Sequence, residues 1–91
     1  MMRENGLVKL TEESAEVIQV AAKMIAYPEL QHSETVCHPD GSLLRKRLED
    51  ELGDALAAIE FVTEKLELDT ARINKQHQFK LNRFRQWDEE T

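Results

Sequence analysis

Residues 43–67 read LLRKRLEDELGDALAAIEFVTEKLE. Leu44, Leu48, Leu52, Ala55, Ile59, Val62 and Leu66 recur at the three-to-four spacing that puts them on one face of a helix. The run contains no proline and one glycine, Gly53, and Ser42 is placed to cap it. Upstream, residues 7–27 (LVKLTEESAEVIQVAAKMIAY) hold no helix breaker until Pro28, which disfavours helix in the residue before it. Between the two, residues 28–42 are polar, lack apolar periodicity and end in the turn-like run Pro39-Asp40-Gly41. Downstream, Asp69 is placed to cap a third helix near 70–88, with Ile73, His77, Leu81, Phe84 and Trp87 at helical spacing. Nothing in the chain alternates as a strand does. The sequence predicts one all-α domain over residues 1–91.

The first helix is apolar on two sides. Leu7, Ser14, Ile18, Ala21, Ala22 and Ile25 form one line, and Leu10, Val17, Val20 and Met24 form another. Three helices offer little cover for both, so a helical bundle completed by homo-oligomerisation is expected. A chain of 91 residues is short enough to need such support. A disulfide framework does not supply it, because Cys37 is the only cysteine, and a lone thiol fits a reducing, cytoplasmic setting. Cys37 has no basic neighbour at a helix start and reads as inert. No stretch is long and apolar enough for a membrane span and no signal-peptide pattern opens the chain. A net charge of −6 argues against a duplex nucleic-acid partner, which demands a basic face.

The carboxylates carry the chemistry. Three acidic pairs lie three residues apart on helices: Glu13/Glu16, Glu51/Asp54 and Glu64/Glu67. Glu64 and Glu67 fall away from the apolar stripe, as solvated charges do. Glu51 falls within the edge of that stripe, with Asp54 flanking it, and Glu13 and Glu16 lie beside Leu10, Val17 and Val20. Carboxylates seldom sit against a core unless they are paired or hold a metal. Residues three apart on a helix are neighbours, so each pair presents two carboxylates to one point. Two such pairs on facing helices make an oxygen-only cage, which suits Mg²⁺ or Mn²⁺ rather than zinc. The alternative is an ordinary solvated acidic face. Gly53, inside a helix where Gly costs roughly 1 kcal/mol against Ala, allows close approach of a ligand or simply tight helix packing. A di-iron bundle would need paired Glu-x-x-His motifs, and the single copy, Glu29-Leu30-Gln31-His32, follows Pro28 at a loop edge.

Glu12-Glu13-Ser14-Ala15-Glu16 has the form EExxE and Glu51-Leu52-Gly53-Asp54 the form ExxD, in order on successive helices ahead of a Lys- and Arg-rich third helix. In this the chain resembles the MazG-like nucleoside triphosphate pyrophosphohydrolases of the all-α NTP pyrophosphatase superfamily, from about Leu7 to Trp87. The resemblance implies a Mg²⁺-dependent enzyme, with Mn²⁺ as a substitute, that cleaves a (deoxy)nucleoside triphosphate between the α- and β-phosphates to a monophosphate and pyrophosphate. It implies a homodimer or tetramer. Carried over by position, Glu13, Glu16, Glu51 and Asp54 are the metal ligands and Glu16 orients the attacking water or accepts its proton. Glu12, on the wheel with Gln19 and Lys23, reads as solvated. Asn74, Lys75, Lys80 and Arg83 would hold the phosphate tail, although the family's Lys-to-Arg spacing is not cleanly reproduced and a solvated basic face is the alternative. His38, in a loop longer than usual for the family, would border the nucleobase. The compact domain resembles small stand-alone and phage-borne members, some directed at guanine deoxynucleotides, so dGTP or GTP is the favoured substrate. The rival readings are a sister-branch pyrophosphatase acting on phosphoribosyl-ATP, dUTP or dCTP, and a non-catalytic helical dimerisation module.

Overall fold

The computed structural model describes residues 5–31 and 43–90. They form α1 (Leu7–Ala26), a single 3₁₀ turn (Pro28–Leu30), α2 (Leu44–Lys65) and α3 (Thr70–Glu90), with no strand among them. The helix boundaries follow from local chemistry. Gly6 enters α1 with φ +95°, a conformation that side-chain-bearing residues resist, and its carbonyl accepts the Leu10 N–H at 2.8 Å. Pro28 stops α1 and starts the 3₁₀ turn. The residue in the N-cap position of α2 is Leu43, which offers no side-chain acceptor; the proposed cap, Ser42, lies outside the described residues. Asp69 does cap α3, its Oδ1 accepting the Arg72 N–H at 3.1 Å.

The end of α2 is a Schellman turn built on glutamate. The Leu68 N–H reaches back to the Thr63 carbonyl at 3.0 Å and the Glu67 N–H to that of Glu64 at 3.3 Å. Glu67 takes the left-handed position, φ 53°, that glycine usually fills. Both Glu64 and Glu67 are exposed.

Helices α1 and α2 pack antiparallel, with Gly6 against Phe61 and Val62 at one end. At the other end Val20, Met24, Leu30 and Leu44 form the core, with Leu48 packed on it. Leu30 was not expected there, since the polar run around it carries no apolar period. The turn is tied down by Gln31, whose Nε2 donates to the Met24 carbonyl at 3.0 Å and whose own carbonyl accepts from Arg45 at 3.0 Å. On α2 the inward line is Leu44, Leu48, Ala58 and Val62, while Leu52, Ile59 and Leu66 of the predicted stripe stay exposed. The stripe is therefore rotated toward its acidic edge. On α1 the line of Val20 and Met24 faces inward, and the other line is bare, with Ile18 67% and Ile25 73% exposed.

Helix α3 buries no residue. Its Phe84 and Trp87 rings pack on each other at 5.6 Å, and the Arg83 guanidinium lies 5.8 Å from the Trp87 ring centre. Within the single chain, Gly53 does not serve tight helix packing: a Cβ added there meets nothing within 4 Å.

Candidate metal centre

The rotation of α2 turns Glu51 and Asp54 toward Glu13 and Glu16 between the two apolar ends of the α1–α2 interface. One carboxylate oxygen from each of the four lies within 4.8 Å of the others, the one such group of metal-ligating side chains among the described residues. Opposite ligands around an octahedral Mg²⁺ stand about 4.2 Å apart, and around Ca²⁺ about 5 Å. The cluster thus has the width of a hard-cation coordination sphere and a donor set made of oxygen alone. Glu12, one residue away, points elsewhere and pairs with Lys9 at 3.3 Å on the exposed side.

Among the described residues no Lys or Arg forms an ion pair with any of the four. Glu13 Oε2 and Glu51 Oε2 are removed from water and make no hydrogen bond. Buried polar atoms are almost always paired, and an unpaired carboxylate oxygen is expensive. The ionisation of Glu51 is pushed up to about 6, first by a hydrogen bond with Glu16 that favours its protonated form, then by burial and the charges of Glu16, Asp54 and Glu13. Glu13 is raised from its ordinary value of 4.5 as well, chiefly by burial and then by the Glu16 and Asp54 charges. A divalent cation would satisfy both orphaned oxygens and relieve the repulsion. The residues fit such an ion.

A groove of about 360 Å³ opens beside the cluster, lined by Lys9, Glu13, Asp54, Ala57, Ala58 and Phe61. Lys9 and Phe61 did not stand out in the sequence, because their proximity depends on the antiparallel register of α1 and α2. The signal that could have found them is their position on the carboxylate faces: Lys9 one turn before Glu13, Phe61 two turns after Asp54.

The predicted phosphate-binding residues do not join the cluster within one chain. Lys75 lines a shallow depression on α3 with Asp69 and Phe79. Lys80 lines another with His77 and Phe84, and neither depression includes a cluster carboxylate. Asn74 and Arg83 are likewise on exposed α3. His38, Cys37 and His32 lie outside the described residues. No helix among those described is long and apolar enough to cross a membrane. In comparisons with known proteins, no family, no curated protein and no solved structure matches the chain.

Proposed function

We propose that the chain is a divalent-metal-dependent nucleotide pyrophosphohydrolase, acting on a (deoxy)nucleoside triphosphate in a MazG-like manner. The observation that supports it best is the four-carboxylate cluster with two buried, unpartnered oxygens and, among the described residues, no ion-paired Lys or Arg. Glu13, Glu16, Glu51 and Asp54 would hold one or more Mg²⁺ ions, and Glu16, more exposed than Glu13, would also orient a water and accept its proton at a carboxylate oxygen. When bound, the metal supplies neutralisation of the triphosphate, polarisation of its phosphoryl oxygens and a lowered pKa for water. The water oxygen bonds to the α-phosphorus as the bond to the α–β bridging oxygen breaks, and pyrophosphate leaves.

The cations for the leaving pyrophosphate, Lys75, Lys80 and Arg83, sit on a helix that buries no residue. They would reach a cluster only with a second copy beside the bare faces of α1 and α3, so a homodimer belongs to the same reading. Within it dGTP or GTP is the favoured substrate.

The test is product analysis by anion exchange after incubation with each nucleoside triphosphate, in Mg²⁺ and in EDTA. Monophosphate and pyrophosphate, lost with EDTA and with Glu51→Gln, are expected. Diphosphate and orthophosphate would overturn the assignment, and no turnover would favour the helical dimerisation module that the exposed apolar residues also suit.

A further inference from the structure

The groove beside the carboxylates has a chemistry of its own. Asp54, Ala57, Ala58 and Phe61 line it in order along α2, with Lys9 and Glu13 from α1. Phe61 lies seven residues after Asp54, about 10 Å along the helix. That is comparable with the reach from a metal-held phosphate across a sugar to a base.

The ring is held rather than loose. Its Cδ2 abuts Gly6 so closely that a Cβ at residue 6 would stand 3.0 Å away, and Lys65 Nζ lies 5.6 Å from the ring centre. Yet Phe61 remains 37% exposed and is outside the apolar core cluster. A fixed aromatic ring partly open to solvent beside a polyanion site offers a surface on which a planar base can stack. Lys9 is also available, because its ion pair with Glu12 is solvent-exposed and such pairs contribute little.

We infer that this groove is the nucleobase site, with Phe61 as its stacking platform and Lys9 as a cation for the ligand's phosphates. The inference rests on the proposed nucleotide chemistry and adds the residues that distinguish a nucleotide from bare polyphosphate. The small side chains at 57 and 58 leave room for the ring system, and a longer side chain there would fill it.

Binding separates the two ideas. Titration calorimetry with Ca²⁺ in place of Mg²⁺ would compare the deoxynucleoside triphosphates with inorganic tripolyphosphate, which has the charge but no base. Phe61→Leu is expected to weaken the best nucleotide about tenfold or more, leaving tripolyphosphate within about twofold, whereas Phe61→Tyr keeps both. Ala57→Gln, at an exposed helix position, blocks the groove without touching the core and should reproduce the selective loss. Lys9→Met should weaken both ligands together. Equal affinity of the unaltered protein for nucleotide and tripolyphosphate would overturn the base site while leaving the polyphosphate centre standing. So would nucleotide affinity unchanged in Phe61→Leu and Ala57→Gln. Binding of neither ligand would overturn the nucleotide reading itself, and the groove assignment with it.

Discussion

The Glu51 carboxyl is held against Glu16 and turned from water, and its ionisation is pushed up to about 6 from an ordinary 4.5. The folded chain therefore binds this proton more tightly than the unfolded chain does, and protonation favours the fold. The unfavourable contribution is full above about pH 6 and fades as the pH falls from there toward 4.5. With metal chelated, the melting temperature should rise between pH 7 and pH 5, and less so in Glu51→Gln, which carries no charge to relieve. Added Mg²⁺ should stabilise the unaltered protein at pH 7.5 and lose that effect below pH 6, where protons compete for the same oxygens. Identical pH slopes for the two proteins would show that Glu51 is not under this strain. Gly6 is the other decisive single residue. It holds φ +95°, and a Cβ added there would stand 3.1 Å from the Val62 Cα, tighter than ordinary packing. Gly6→Ala should destabilise the chain by about 2 kcal/mol, read as a shifted urea midpoint at unchanged slope.

At the scale of the helices, Gly53 poses a contradiction between sequence and packing. A glycine in a helix interior costs roughly 1 kcal/mol against alanine, and in the single chain its absent side chain makes room for nothing. Gly53→Ala should therefore raise the melting temperature by about 4–8 °C. A fall instead would mean that a ligand or a second copy approaches the backbone between Glu51 and Asp54. The helices themselves were legible from breakers and periodicity: Pro28 marks the end of α1, Asp69 the start of α3, and Glu13/Glu16 and Glu51/Asp54 fall on the faces that meet. The rotation of α2 was not, because a wheel weights every apolar residue alike and cannot tell which of Leu52, Ile59 and Ala58 finds a partner. Leu30 escaped for a related reason, since one apolar residue in a polar run has no period to reveal it. Lys9 and Phe61 needed the pairing of two helices, which is a tertiary fact.

For the whole molecule the measure is area. The chain exposes 7506 Å², whereas a packed monomer of its mass exposes about 5,500 Å². Its radius of gyration is 16.1 Å, against about 12 Å for a packed domain of this length. The surplus surface includes Ile18 and Ile25 on α1, Leu56 on α2 and Phe79, Phe84 and Trp87 on α3, each at least half exposed. A standard protein interface removes about 800 Å² from each partner, so a second copy could cover much of the surplus. Sedimentation equilibrium should accordingly show a dimer or tetramer at micromolar concentration, with a melting temperature that rises with protein concentration. Ile18→Glu sets a charge on the bare α1 line and touches none of the core residues. It should shift the chain toward monomer and lower its melting temperature, and Glu64→Gln, on an already solvated face, should do neither. A monomer in both would leave α3 without cover, and the proposed centre would then need its cations from Lys9 and its neighbours in the same chain.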